Sequence, residues 1–508
     1  MKNIVICCDG TWNTPDQKKD GVADPTNVVR IFNATAELGN DGSSPQHKYY
    51  HPGVGTDGSL WDKVVGGGTG RGLNRNIMGA YRELCDFYED GDQIFMFGFS
   101  RGAYTVRSLC GLIAHAGLLK TSGLKDDDVW NKIERIFQKG YRSKTEDQAT
   151  WRKLEWAFHG KEGEAIPIHF LGVWDTVGAL GIPDDLAFLN LIDNLHDYTF
   201  HDTRLNPSIK VARHAVAMDE MRAAFQPTLW VPGENQDAEQ VWFAGVHSDV
   251  GGGYPETGLS DCALMWMIKE AEACGLSFND KMVAQIQPDH LGVIHDSCSG
   301  VFGLLPTQPR SVSRLAPSNP LISPTALDRH VVPPIHQSPY RLDRSVSAND
   351  ATTCNIFARQ IWNETGIWLE AGTKYQFTAE GEWLDSSIKC DAGGTDDGHF
   401  QFAELAQMAG SVLGQVENLF KKLTNNKAAD FRFTKRHEDY PWFSLIGAIA
   451  NGRGVDSNGH LIPHETFLIG KGKEYTPLKS GYFYAYANDA WNCYGNNRGR
   501  VRLTVKTA

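Results

Sequence analysis

Ser100 lies in Gly98-Phe99-Ser100-Arg101-Gly102, a G-x-S-x-G spacing. The apolar run Gln93-Ile94-Phe95-Met96-Phe97-Gly98 precedes it, and a stretch with helical spacing, Ala103 to Ala116, follows. A serine on a tight strand-to-helix turn is lifted clear of the sheet, and small flanking residues let the turn pack closely. The same turn aims the amide of Arg101 at an oxyanion, with the N-terminus of the helix behind it. The competing reading is an ordinary turn whose serine caps the helix.

A serine hydroxyl needs a base to take its proton, and the base needs a carboxylate to orient it. Two downstream residues stand at strand ends, where a parallel sheet exposes its ligand-binding edge. Asp175 follows His169-Phe170-Leu171-Gly172-Val173-Trp174, and His247 follows Trp242-Phe243-Ala244-Gly245-Val246. The chain order Ser, Asp, His is that of α/β hydrolases. His214 competes as base, but its neighbours Val211, Ala212 and Ala215 suit a packed ring. Asp249 competes as acid and sits in the loop after His247. Asp219 reads as solvated or ion-paired. For a second oxyanion donor the choice is Gly10 or Thr11, just after the first strand. Such a triad calls for no catalytic cofactor.

The elements that must position these residues alternate strand and helix, as an α/β layer fold requires. Strands are expected at Ile4–Cys8, 49–55, Gln93–Gly98, Ile166–Val173 and Gln240–Val246, and helices at Thr26–Leu38, Leu73–Tyr88, Ala103–Ala116 and Asp261–Ala273. Residues 124–160 look helical, and 180–210 read as a cap over the site. The glycine-rich run 66–72 lacks the Lys-Ser/Thr of a phosphate loop and is expected to be a flexible loop near the site. Eight prolines between 301 and 340 exclude regular helix there; this stretch wraps the first domain or links it to the next. After about 345 period-two alternation appears, as in Tyr375-Gln376-Phe377-Thr378-Ala379 and Val501-Arg502-Leu503-Thr504-Val505. The expected organisation is an α/β domain over 1–340, with a doubly wound, mainly parallel sheet, and an antiparallel β-sandwich over 345–508. A helical insertion at about 388–435, with an apolar stripe over 402–423, interrupts the sandwich.

At 508 residues the chain exceeds one compact core. A net charge of −12 argues against a nucleic-acid partner. Ten cysteines include no CxxC pair, so no zinc or thioredoxin-like site is indicated. A strand begins three residues in, and no run of about 20 apolar residues occurs. We therefore expect neither a cleavable signal nor a membrane span, and synthesis in the cytoplasm.

Six blocks together resemble one family: Asp9-Gly10-Thr11-Trp12-Asn13, Thr26-Asn27-Val28, Gly53-Val54-Gly55-Thr56, Gly98–Tyr104, Val173–Val177 and Gly245–Tyr254. It is the α/β-hydrolase domain family that includes phospholipase effectors of bacterial type VI secretion, and the resemblance covers about residues 1–340. It implies a triad of Ser100, Asp175 and His247, an acyl-ester substrate such as a lipid, peripheral membrane contact, and export without a cleavable signal peptide. The C-terminal part resembles calcium-dependent galactose-binding lectins of the PA-I type, through Asn363–Ile367, Leu445-Ile446-Gly447 and the stretch Tyr486-Ala487-Asn488-Asp489 to Gly499. That resemblance implies Ca²⁺ held by Asp385, Asp489, Asn496 and Asn497, whose side-chain oxygens suit a hard cation, and a glycan partner. Two functions follow: a serine ester hydrolase working through an acyl-enzyme, or a carbohydrate- or surface-binding protein whose hydrolase domain acts on another acyl ester or thioester.

Overall fold

The computed structural model describes the chain apart from residues 11–12, 14–17, 20, 54–70, 162, 178–203, 300–302, 304–305, 348–349, 396–435, 454–461 and 492. Residues 180–203 of the expected cap, the glycine-rich run up to residue 70 and the 402–423 helix lie outside the described residues; the end of the expected cap is not a cap, since Ile209 and Lys210 open a strand of the main sheet.

Six strands form the first sheet: β1 (Asn3–Cys8), β2 (Gln46–His51), β3 (Gln93–Phe99), β4 (Ile168–Trp174), β5 (Ile209–Ala217) and β6 (Asp237–Phe243). Their order is β2-β1-β3-β4-β5-β6, and every pairing is parallel. Strands buried on both faces read as continuous apolar runs, and alternate side chains go to opposite layers. Ile4, Ile6, Ile94, Met96 and Val173 pack under helices α2 (Arg71–Phe87) and α3 (Arg101–Ala116). Val5, Cys7, Phe95, Phe97 and Trp174 pack under α1 (Asn27–Ala34) and α4 (Gly258–Ala273). Each such fully buried side chain contributes about 1.5–3 kcal/mol.

Three expectations need correction. Helix α1 stops at Ala34, with Thr35 extended, rather than reaching Leu38; Thr26 caps its start by accepting from Val29 N. The proline-rich stretch does contain a helix, Pro324–Val331, with proline in its first turn and Ser323 as cap; proline is tolerated there because the N–H it lacks has no intrahelical partner. The span assigned to the insertion begins with a strand, Ile388–Asp391. Within 124–160, described helices include Asp126–Arg135 and Gln148–Lys153.

The C-terminal strands form two five-stranded sheets. These strands are β7 (Arg344–Ser345), β8 (Thr352–Phe357), β9 (Asn363–Leu369), β10 (Tyr375–Asp385), β11 (Ile388–Asp391), β12 (Leu445–Ala450), β13 (Glu465–Leu468), β14 (Gly472–Tyr475), β15 (Gly481–Ala487) and β16 (Arg498–Thr507). One sheet has the order β8-β16-β10-β11, with β14 also on β10; the other has β13-β12-β15-β9-β7. All pairings are antiparallel except β9 with β7. Phe377, Phe467, Phe483, Leu503 and Val505 fill the core between them.

The two units share a further apolar cluster. Val216, Met218 and Trp242 from the parallel sheet meet Ile446, Ala448, Tyr482 and Tyr484 from the sandwich. The chain after residue 306 lies at this junction. Trp242 N donates to Leu321 O, and Ser323 N donates to Trp242 O, so this segment pairs with the outer edge of β6 and covers groups that would otherwise be open.

Candidate active site

The strand-to-helix turn at Ser100 is tight and strained. Ser100 has φ 55° and ψ −119°, a conformation a non-glycine residue rarely adopts. It stands at the cap position of α3, yet its side chain makes no capping hydrogen bond, which rules out the capping reading. Both glycines are explained by close approach. A Cβ on Gly102 would lie 2.0 Å from the Cys8 carbonyl oxygen, and one on Gly98 would lie 2.6 Å from the Gly102 carbonyl oxygen. The first turn of α3 is thus pressed onto the end of β1.

Ser100 N donates to Trp174 O, and Asp175 N donates to Ala215 O. The serine and the aspartate therefore extend neighbouring strands at one sheet edge. Asp175 is also strained, at φ 38°. His247 opens the short helix His247–Gly251, after Gly245 at φ 113°. Its Nδ1 lies 2.6 Å from Asp175 Oδ2. The carboxylate accepts from Nδ1–H, which leaves Nε2 of the neutral ring as the basic nitrogen. The imidazole is packed between Phe99 (ring centroids 4.6 Å) and Phe225 (5.1 Å, edge-on). A Cβ on Gly251 would lie 2.0 Å from the Phe99 ring, so this glycine leaves space for the aromatic that supports the histidine. Ser100, Asp175 and His247 are all buried.

Burial lowers the pKa of His247, and Arg222 adds to this; the bond to Asp175 and the charge of Asp175 act against it, and the net direction is downward. Burial alone would raise Asp175, but the Arg310 guanidinium and His247 overcome it and hold the carboxyl well below the usual carboxylate range.

Arg310 was not found by sequence reasoning. It forks onto Asp175, with Nη1 to Oδ1 at 2.6 Å and Nη2 to Oδ2 at 2.9 Å, and is only 1% exposed. Ala217 N donates to Oδ1 of the same carboxylate at 2.9 Å. Glu220 was missed as well. It accepts from the backbone N of His247 at 3.3 Å, from Arg222 through Nε and Nη2, each at 2.8 Å, and from Ser297 Oγ at 2.9 Å. Neither residue has a local sequence signal, because each partner set is assembled from distant segments.

Arg101 takes the first position of α3, where an amide has no intrahelical acceptor. Gly10 does lie beside the serine: a Cβ on it would come 3.3 Å from Ser100 Cβ. Its amide, however, is not the donor expected from the sequence, since it donates to Asp9 Oδ1 at 2.7 Å. Asp9 is buried, accepts also from Thr26 Oγ1 and Tyr50 OH, and is pushed up to about 6 by burial. Thr11 lies outside the described residues. The competing residues have structural partners. His214 Nε2 accepts from Thr176 N, and burial pushes its ring down to about 3. Asp249 Oδ1 pairs with His295 Nδ1 at 2.6 Å. Asp219 pairs with Arg341 Nε at 2.7 Å.

The residues named for calcium come together in two pairs. Asn496 Nδ2 donates to Asp385 Oδ1 at 2.9 Å, and Asn497 Nδ2 donates to Asp489 Oδ2 at 2.8 Å. Asn497 is 1% exposed, and its Oδ1 accepts no hydrogen bond among the described residues. A buried amide oxygen without a donor is costly, and an oxygen-only donor set is the kind a hard cation takes. The chemistry of these donors is compatible with calcium.

A parallel sheet with a strained serine after one strand, an aspartate after the next and a histidine beyond the last is the layout of an α/β hydrolase. The chain belongs to the family of type VI secretion phospholipase effector Tle1-like catalytic domains, whose model matches residues 2–270. A 246-residue stretch is 30% identical to the uncharacterized protein YEL023C of Saccharomyces cerevisiae, covering 46% of this chain and 33% of the yeast protein. The chain thus spans about a third of the length of that relative. A crystal structure of an uncharacterized protein from Pseudomonas aeruginosa aligns with 57% of this chain and 49% of its own, at 20% identity and TM-score 0.36. The structure of the Tle1 effector bound to the VgrG spike of the type VI secretion system aligns with 50% and 52%, at 19% identity and TM-score 0.28. The EclA N-terminal domain, a PllA-like lectin, aligns with 31% of this chain and 95% of its own, at 15% identity and TM-score 0.19. Family membership supports a hydrolase activity of the esterase type.

Proposed function

We propose that the protein is a serine ester hydrolase of the phospholipase A type that works through an acyl-enzyme. The observation that carries this reading is the His247–Asp175 hydrogen bond at the sheet edge where the strained Ser100 turn stands. His247 Nε2 takes the Ser100 proton as Oγ attacks the ester carbon. The Arg101 amide supports the oxyanion, and the proton passes to the leaving alcohol. Water, deprotonated by the same ring, then attacks the acyl carbon; the acyl–serine bond breaks, the ring returns the proton to Ser100 Oγ, and the acid is released. Asp175 orients the ring and stabilises its charged form. A lipid substrate is supported by the family description. A groove of about 820 Å³ runs past Tyr104 and Arg107 of α3, and Ser100, Asp175 and His247 are not among its lining residues. Delivery by a type VI apparatus after cytoplasmic synthesis, and peripheral contact with the target membrane, belong to the same proposal.

The test is labelling by a fluorophosphonate, followed by a panel of phospholipids, simple esters, thioesters and acylated sugars. Because burial lowers His247, its neutral, basic form persists below the ordinary value of about 6.5. The acid limb of labelling rate and of kcat/KM is therefore expected below pH 6.5. A limb above pH 7 contradicts this assignment of the base.

A second role for the sandwich rests on the Asn497 oxygen. Asp385, Asp489, Asn496 and Asn497 would hold Ca²⁺, which would order the loop and present it to a glycan. Calcium at a hundredfold excess over its Kd is expected to add about 2.7 kcal/mol of stability. A thermal melt of the full chain with calcium and with chelator reads this, and Asp489→Asn is expected to remove the difference. Equal melting temperatures in the wild type would end the calcium reading.

A further inference from the structure

Residues 307–315 lie between the parallel sheet and the sandwich and are tied to both. On the sheet side, Arg310 binds both oxygens of Asp175 and also donates to Ala217 O and Phe225 O. On the sandwich side, the carbonyls flanking Arg310 are held by two side chains. His464 Nε2 donates to Pro309 O at 2.7 Å, and Arg453 Nη2 donates to Ser311 O at 2.7 Å. The His464 ring has a fixed tautomer, because its Nδ1 accepts from Gly452 N at 2.9 Å. Arg453 also reaches Ser313 Oγ. Trp362 Nε1 donates to Thr307 O, and Leu315 N donates to Tyr482 OH. The backbone around Arg310 belongs to no helix or strand, so these bonds fix where its guanidinium stands.

We propose that the sandwich is a working part of the hydrolase site: His464 and Arg453 are positioning residues that hold Pro309 and Ser311, keep Arg310 forked on Asp175, and thereby set the orientation and basicity of His247. This rests on the triad reading above. The charged groups facing the histidine are Asp175 at Nδ1, Glu220 at its backbone amide, and Arg222, which lies over the neighbouring Phe225 ring. Arg310 acts through Asp175. If Arg310 withdraws, the buried carboxylate loses its counter-charge and favours a protonated His247 more strongly. The ring also loses its fixed support. A shift of the acid limb to higher pH therefore accompanies a slower chemical step.

The experiment uses the full chain and measures fluorophosphonate labelling and ester kinetics against pH. The variants are His464→Ala and Arg453→Ala, with His464→Gln and Arg453→Lys as conservative controls that keep a donor. The alanine variants are expected to lose about tenfold to a hundredfold in kcat, the upper figure being what a misplacement of about 1 Å costs, with KM within about twofold and the acid limb moved upward by about half a unit or more. The conservative variants are expected to regain most of the rate. Alanine variants that melt earlier but label at the wild-type rate with the wild-type limb would overturn the proposal while the triad stands. If one alanine variant does not fold, the other decides: a slower rate with the limb moved upward supports the proposal, and a slower rate with an unmoved limb overturns it. Wild-type labelling no faster than that of Ser100→Ala would sink the triad reading and this one with it.

Discussion

Ser100→Ala is expected to lower ester turnover by about 10⁴-fold to 10⁶-fold, with fluorophosphonate labelling lost and the thermal unfolding transition nearly unmoved. Loss of a triad nucleophile leaves only binding and oxyanion contributions, which sets that range. The small stability effect follows from the geometry. The Ser100 side chain caps nothing, so alanine strands no amide at the start of α3. Alanine also keeps the Cβ that the turn already accommodates, and the change is expected within about 0.5 kcal/mol. Circular dichroism melts beside the kinetics separate lost chemistry from lost fold. Retained turnover in a well-folded Ser100→Ala protein would remove the serine from the reaction.

The second large effect is expected at Arg310. Arg310→Met leaves the Asp175 carboxylate uncompensated in a site with no exposure, and also strips a donor from Ala217 O and Phe225 O. Breaking one side of a buried ion pair costs about 3–5 kcal/mol, readable by urea unfolding. The double variant Arg310→Met/Asp175→Asn is expected to recover part of that loss, because the stranded charge is gone. The pH dependence has a definite sign. Asp175 is held below its unfolded value, so its contribution is full above about pH 4 and is lost as pH falls through the depressed value. Arg310→Met is expected to lose that contribution, so the gap between wild type and variant narrows in acid. A gap that stays constant down to pH 2 would place the cost of the substitution in packing alone.

Much of this site could be read from the residues. The glycines at 98 and 102 mark the turn because any side chain there meets backbone, and the apolar run before Ser100 marks its strand. Asp175 and His247 follow such runs too. Strand β5 was harder. Its sequence Ile209–Ala217 carries Lys210, Arg213 and His214, which reads poorly as a buried strand. Arg213 is buried because Glu270 and Asp237 neutralise it, and His214 because Thr176 and Gln240 bond its ring. Such partners are invisible to periodicity. Arg310 and Glu220 escaped for the same reason, since their roles exist only once distant segments meet. Gly10 misled in the opposite sense. It lies beside the serine, but its amide donates to the neighbouring Asp9 carboxylate.

The family match ends at residue 270, forty residues before the arginine that neutralises Asp175. A recombinant fragment cut at that boundary would carry Ser100, Asp175 and His247, the residues of the proposed triad, and still lack the cation that makes the burial of Asp175 tolerable. It would also bare the apolar flank of β6, where Trp242 now meets the sandwich and the segment around Ile322. Inactivity or precipitation of such a fragment would therefore report a severed support, and a dissection of this chain should keep both halves in one polypeptide.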